Sequence, residues 1–243
     1  MRTFGIIGYP LTHSFSQKYF MEKFEKEGIN DAEFLQFSIE HIDGLKEVFA
    51  THPDLAGFAI TIPHKKSVLN YLHESTDAVK QMGACNCVHI KDGKLYGYNT
   101  DVLGFELSFK PYLQPHHTKA LILGTGGAAA AVEYTLQKLG IDYKFVSRNK
   151  TGNNFTYSEL TEAVIDEYPV IINTTPLGTY PNVDDAPEIP FELLTPQHYL
   201  FDLVYNPFET KFLRSGKEYG ATVKNGYDML LLQAEENWKI WNS

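Results

Sequence analysis

Two short stretches of this 243-residue chain place ionisable side chains where a proton could be moved: "AITIPHKK" at 59–66 and "YNTD" at 98–101. Lysine is a compact cation that gives up its proton more readily near positive partial charge, as an acid–base lysine should. Pro63 suits the first position of a helix. The spacing therefore predicts Lys65 and Lys66 in a first helical turn, where the dipole disfavours cations by roughly 0.3–1 kcal/mol. If Lys65 lies near Asp101, the pair could exchange a proton with a hydroxyl while a nicotinamide moves a hydride. Thr100 and Asp101 also precede a helical stretch, so an N-capping role competes with a chemical one.

Two further segments carry polar residues at predicted strand ends, where open α/β sheets hold their ligands. "THSFS" offers Ser14 and Ser16 to a small polar ligand, although Ser16 can equally cap the helix that follows. "CNC" sets Asn86 in an apolar strand, where its amide needs partners from a ligand or from backbone. Cys85, Cys87 and His89 form C-x-C-x-H. Three candidate ligands on one strand without a second cluster do not make a metal site, and none is expected.

The second chemical signal is "LILGTGGAAAA". Gly124, Gly126 and Ala129 fit G-x-G-x-x-G/A directly after an apolar strand and at the start of a helix. Gly124 permits the tight turn, Gly126 lets a pyrophosphate approach the backbone, and a small residue at 129 lets helix and strand pack closely. The phosphates would sit on the N–H groups of the helix N-terminus. A free ribose 2′-OH usually meets Asp or Glu at the end of the next strand. Here that strand ends "FVSRN", with Arg148 and no acid from Tyr143 to Lys150. Arginine grips a 2′-phosphate through paired N–H donors as well as charge, so NADP(H) is favoured over NAD. The competing reading is a solvated surface arginine.

These segments need a scaffold of alternating strands and helices, and the hydrophobic pattern supplies one. Strands are predicted at 4–9, 33–39, 55–62, 84–90 and 95–98, with helices at 16–27 and 42–50. Asp92-Gly93 reads as a tight hairpin turn. A helical stretch at 102–109 leads to a connector, and a new βαβ series begins at Lys119. Its three further strands follow in "DYKFVSRN", "YPVIINTTPLG" and "HYLFDLVYNP", and a helix spans 226–241. The expected architecture is α/β, with an N-terminal open α/β substrate domain, a Rossmann-like NADP-binding domain and a cleft between them. The substrate domain is expected at 1–101, with 226–243 returning to it, and the cofactor domain at 102–225.

Composition narrows the partners. A formal net charge of −9 argues against nucleic acid or an anionic membrane as the main partner. The two cysteines are too close in sequence for an ordinary disulfide, which suggests no oxidising compartment. With no leader-like segment and no apolar run near the ~20 residues of a span, a soluble cytoplasmic monomer or homodimer acting on small molecules is expected.

Taken together, the motifs resemble those of the shikimate dehydrogenase family, in order and over nearly the whole chain. "GYPLTHSFS" is similar to the opening motif whose serines hold the substrate carboxylate, which implies Ser14 and Ser16. "TIPHK" resembles the segment with a substrate-contacting threonine and the catalytic lysine, implying Thr61 and Lys65. "GACNCV" and "GYNTD" imply substrate contacts at Asn86 and Thr100 and a catalytic aspartate at Asp101. "GTGGAAAA" matches the cofactor turn, adding Gly127 and Ala128, and "SRN" falls where a triplet binds the 2′-phosphate, implying Arg148 and Asn149. "NTTPLG" and "DLVYNPFET" imply Asn173, Thr174 and Leu203 near the nicotinamide and Tyr205 near the substrate. "NGYDMLLLQA" adds Gly226 near the nicotinamide and Gln233 at the substrate.

The resemblance implies reversible NADPH-dependent reduction of 3-dehydroshikimate to shikimate. A quinate/shikimate dehydrogenase with broader substrate or NAD use is the alternative. Ala59 stands where the family usually has asparagine. Ser147 and Asn149 replace the usual outer members of the triplet, and Cys85 and Cys87 replace small or β-branched residues.

Overall fold

The computed structural model describes residues 1–11 and 15–243, so Ser14 lies outside the described residues. It divides into two compact units, Met1–Thr100 with Ala234–Ser243, and Asp101–Gln233. The first unit runs β1 (Arg2–Gly8), α1 (Phe15–Glu27), β2 (Ala32–Ser38), α2 (Leu45–Thr51) and β3 (Leu55–Ile60). It continues with β4 (Glu74–Ser75), α3 (Asp77–Met82), β5 (Cys87–Lys91) and β6 (Lys94–Tyr98). The sheet order is β2-β1-β3-β5-β6-β4. β1 lies parallel to β2 and β3, whereas β5 is antiparallel to β3 and β6. The hairpin turns at Asp92 (φ 52°) and Gly93 (φ 71°), two successive left-handed residues that match the twist of the flanking strands.

Side-chain alternation splits the buried residues between the two faces of this sheet. Ile7, Phe58, Ile60, Cys85 and Val88 join one core, and Phe4, Ile6, Ala59 and Cys87 the other. Both cysteines therefore serve as small apolar side chains, which accounts for their place beside Asn86.

The second unit runs α4 (Asp101–Phe109), β7 (Lys119–Leu123), α5 (Ala129–Leu139), β8 (Asp142–Ser147), β9 (Phe155–Thr156) and α6 (Glu162–Glu167). It continues with β10 (Val170–Asn173), β11 (Tyr199–Asp202), α7 (Lys211–Glu218), β12 (Thr222–Asn225) and α8 (Tyr227–Trp241). All pairs in the order β12-β11-β10-β7-β8-β9 are parallel. This is the doubly wound order of a dinucleotide-binding sheet, and its direction reverses between β7 and β10. The central strands are buried on both faces, as the continuous apolar runs "ALIL" and "VII" require. The short β4, β9 and β12, and helices α3, α6 and α7, are not among the expected elements, although Thr76 and Gly83 cap α3 and Thr210 caps α7.

The end of α8 belongs to the first unit and is held there by aromatic packing. Trp241 stacks on Phe4 at 5.2 Å, and its indole N–H donates to the Val88 carbonyl at 2.9 Å. A Cβ at Gly57 would come within 2.3 Å of the indole, so only glycine leaves room for this ring. The nearly buried Lys23 ammonium lies 3.0 Å from Glu235 and 2.7 Å from Glu27, and Tyr19 donates its hydroxyl to Glu235. The pairing satisfies groups whose isolated burial would be costly.

Pro63 does not open a helix. β3 stops at Ile60, residues 62–66 form a turn around a cis Ile62–Pro63 bond, and a 3-10 stretch follows at Ser67–Tyr71. Long-range partners claim the groups a helix would use. The Lys65 carbonyl accepts from the Cys85 N–H at 2.8 Å, and buried His64 places its ring nitrogen 2.7 Å from the Ile39 carbonyl. The helix-dipole argument therefore does not apply to Lys65 or Lys66. Ser16 lies inside α1 rather than ahead of it, and Asn86 precedes β5 by one residue.

The carboxyl ends of β10 and β11 are tied together by Asp202, which is fully buried. Its Oδ1 accepts from Asn173 Nδ2 at 2.9 Å and the Val204 N–H at 3.0 Å, and its Oδ2 accepts from the Thr210 hydroxyl at 2.6 Å. Thr210 in turn caps α7 by accepting from the Leu213 N–H. Burial pushes the Asp202 carboxyl up to about 6, against three hydrogen bonds that favour its ionised form. A carboxyl raised in the folded state contributes stability that is full below its unfolded value and is lost as pH rises towards about 6. Relative to the native chain, Asp202→Asn is expected to gain roughly 2–3 kcal/mol between pH 4 and pH 6.5, with no further change above. Thermal melts of both proteins across that range check this; a pH-independent difference in Tm contradicts it.

Candidate active site

Within the first unit, the predicted polar residues converge on the ends of β3 and β5. The Ile60 N–H donates to the Asn86 carbonyl at 2.8 Å, and the Asn86 N–H donates to Tyr98 at 3.1 Å. The Asn86 segment is thereby held between β3 and β6. The Cys85–Lys65 backbone bond brings the turn at Pro63 alongside it. Thr61, Lys65, Asn86 and Thr100 thus share one neighbourhood, although they are spread over forty positions of sequence. Lys65, which the TIPHK stretch singles out, is half-buried, and Lys66 is exposed.

Thr100 and Asn86 form a reciprocal buried pair. The Thr100 N–H donates to Asn86 Oδ1 at 2.7 Å, and Asn86 Nδ2 donates to Thr100 Oγ1 at 3.1 Å. Thr100 uses its hydroxyl on side-chain amides and leaves the first turn of α4 to begin at Asp101. Ser16 is buried near the start of α1. Asn237 of α8, which no motif singled out, accepts from the Thr100 hydroxyl at 2.7 Å.

In the second unit, a cavity of about 820 Å³ opens at the carboxyl ends of β7, β8 and β10. Gly124, Gly126, Arg148, Asn149, Thr174 and Thr175 line it, as do Tyr157, Asp185 and Glu188, which no local motif marked. Gly124 adopts φ 97°, and a Cβ there would meet Thr175 Cγ2 at 2.9 Å, so the turn requires glycine. Added Cβ atoms at Gly126 and Gly127 would meet nothing within 4 Å. The backbone here borders open space, and Ala128 leaves the start of α5 without a side-chain cap. N–H groups at an uncapped helix start beside a guanidinium fit the phosphates of a dinucleotide.

Asn154 pins the Arg148 loop. Its amide donates to the Ser147 hydroxyl and, at 3.1 Å, to the Asn149 carbonyl, and its Oδ1 accepts from the Thr151 N–H. Asn173 is completely buried. Its Nδ2 serves Asp202, and its Oδ1 accepts from the Thr175 N–H at 3.0 Å and the Thr175 hydroxyl at 2.7 Å. It therefore shapes the cavity floor from below. Thr174 bonds the Leu123 carbonyl through both its N–H and its hydroxyl. Gly226 lies against Leu203, whose carbonyl would be 2.2 Å from an added Cβ. Gln233 sits on α8 where that helix packs on Gly104 of α4, and Tyr205 is partly exposed just after β11. Among the described residues no cluster of three or more His, Cys, Asp or Glu could hold a metal, and no helix is long and apolar enough to cross a membrane.

Comparison with known proteins agrees with this geometry. Residues 6–88 match the family model for the shikimate dehydrogenase substrate binding domain. The chain is 37% identical to the NADP(+) shikimate dehydrogenase of Clostridium beijerinckii, covering 99% of this chain and 92% of that one. The crystal structure of shikimate dehydrogenase from Aquifex aeolicus superimposes with a TM-score of 0.87 at 34% identity, over 100% of this chain and 92% of that one. The Thermus thermophilus enzyme, solved in complex with NADP(H) and shikimate, gives 0.81 at 28% identity, over 99% and 93%. With the glycine turn, the doubly wound sheet and the Lys65–Asn86–Thr100 neighbourhood all present, a likeness extending from end to end makes the chain a member of the shikimate dehydrogenase family.

Proposed function

We propose that this chain catalyses the reversible NADP(H)-dependent interconversion of 3-dehydroshikimate and shikimate in the cytoplasm. The observation that carries the reading is the half-buried Lys65 held by its backbone beside the reciprocal Asn86–Thr100 pair. A cation next to fixed hydrogen-bonding groups at strand ends suits a small polyhydroxylated acid. The relatives' names and the shikimate-bound neighbour support the same substrate.

The first unit, with the end of α8, acts as the substrate domain and the second as the cofactor domain. When bound, the nicotinamide cofactor supplies or accepts the hydride. Gly124, Gly126, Gly127 and Ala128 would hold its pyrophosphate, and Arg148 with Asn149 its 2′-phosphate. Thr174, Leu203 and Gly226 would border the nicotinamide, with Asn173 fixing the turn beneath them. The protein's own chemistry is a proton transfer. Lys65 stabilises the charge developing on the substrate oxygen and exchanges its proton. Asp101 orients the hydroxyl and shares that proton. Ser14 and Ser16 anchor the substrate carboxylate. Thr61, Asn86, Thr100, Tyr205 and Gln233 bind its hydroxyl groups and ring, giving a net-acidic protein local donors for an anion.

Following absorbance at the NADPH band with shikimate or quinate, each with NADP and NAD, tests the reading. Shikimate with NADP should give the highest kcat/KM, and a clear preference for quinate with NAD would overturn it. Lys65→Ala should lower kcat by roughly 10²–10³-fold while changing the shikimate KM less than about threefold. Unchanged turnover with a raised KM would reduce Lys65 to a binding residue. Arg148→Ala should raise the KM for NADP by about 10–100-fold and leave that for NAD nearly unchanged. Equal losses for both cofactors would rule out the 2′-phosphate role.

A further inference from the structure

The last helix brings a polar side chain into the first unit where apolar packing would be expected. Asn237 is 1% exposed, with buried Ala234 and Trp241 one turn to either side on the same helix. A buried amide is costly unless its hydrogen bonds are made. Asn237 Oδ1 lies 2.7 Å from the Thr100 hydroxyl, and Thr100 and Asn86 are themselves 2% and 3% exposed. Three polar side chains from three distant parts of the chain therefore meet in a buried relay.

We propose that Asn237 is a positioning residue for substrate binding, acting through Thr100 to set the orientation of the Asn86 amide. A threonine hydroxyl has one hydrogen to give. Donated to Asn237 Oδ1, that hydrogen leaves Thr100 Oγ1 as an acceptor, and Asn86 Nδ2 fills it at 3.1 Å. The Thr100 N–H holds Asn86 Oδ1 at 2.7 Å, so both ends of the amide are assigned. Among the described residues, the second hydrogen of Asn86 Nδ2 has no acceptor, and it is the donor that a substrate hydroxyl would meet. Without Asn237 the Thr100 hydroxyl can turn to Asn86 Oδ1, which lies at 3.2 Å. The hydroxyl then competes with the Thr100 N–H for that oxygen, and the nitrogen end of the amide is held less firmly. Asn237 thus steadies the nitrogen end of the Asn86 amide through the Thr100 hydroxyl.

The inference rests on the reading of Asn86 and Thr100 as substrate-binding residues, and the experiment separates the two. Steady-state kinetics are measured for the native chain, Asn237→Ala and Asn237→Asp, each in the native and the Thr100→Val background, together with thermal melts. Asn237→Ala should raise the shikimate KM by about tenfold, leave the KM for NADP unchanged and lower kcat less than threefold. Asn237→Asp keeps the acceptor and should bring the shikimate KM back to within about threefold of native. In the Thr100→Val background, Asn237→Ala should add little, because the hydroxyl it acts through is gone. If Asn237→Ala does not fold, Asn237→Ser, whose hydroxyl is too short to reach Thr100, is read in its place.

A shikimate KM unmoved by the substitution overturns the proposal. So does a parallel rise for shikimate and NADP with a lowered Tm, the mark of a purely structural role. Native enzyme that does not turn over shikimate at all overturns the substrate assignment itself, whereas native turnover with an unmoved KM in Asn237→Ala overturns only this inference.

Discussion

The hydrogen bond from the Trp241 indole to the Val88 carbonyl depends on a space that only Gly57 leaves open. Around it, Phe4, Phe20 and Phe34 pack on the tryptophan, and Trp238 packs on Phe4 and Phe24. Burying aromatic rings of this size stabilises the arrangement by roughly 1.5–3 kcal/mol each. The consequence is positional: the end of the chain is seated on its first sheet, next to the segment that ends at Thr100. The Lys23–Glu235 pair and Tyr19 add a polar clasp from α1 to the same helix.

The second unit solves a different problem. A parallel sheet gathers the ends of its strands, and each end must satisfy its own polar groups while leaving room for a ligand. Asp202 gathers the Asn173 amide, the Val204 N–H and the cap of α7, so two loops and one helix start share a single buried carboxylate. Asn154 does the same for the loop carrying Arg148. The glycine turn stays open because the supporting bonds are made beneath it. The supporting bonds thus lie behind the cavity, whose wall combines the backbone of the glycine turn with side chains that include Arg148, Tyr157 and Glu188.

Much of this was legible in the sequence because it depends on local rules. Buried parallel strands read as continuous apolar runs, the Asp92-Gly93 hairpin has its own conformational requirement, and the glycine turn has a fixed spacing between strand and helix. Where local signals conflicted with distant contacts, the contacts prevailed. Pro63 is an acceptable helix start, yet His64 and the Lys65 carbonyl are engaged by Ile39 and Cys85 and the chain turns instead. The resemblance set Asn173 near the nicotinamide, and its buried amide bonds Asp202 and Thr175, contacts that no local pattern announces. Tyr157, Asp185 and Glu188 carry no motif, and only the folding of long connections brings them to the cavity.

The sequence by itself determined the α/β class, the doubly wound half with its glycine turn, and the family, since each rests on residue types at short fixed spacings. Tertiary structure alone decided how Lys65, already set apart from Lys66 by its motif, is held: a backbone bond to Cys85 draws it against the Asn86 segment, and Lys66 is left exposed. It also decided what Asn237 does. A hydrogen bond between residues 137 positions apart leaves no trace in local pattern.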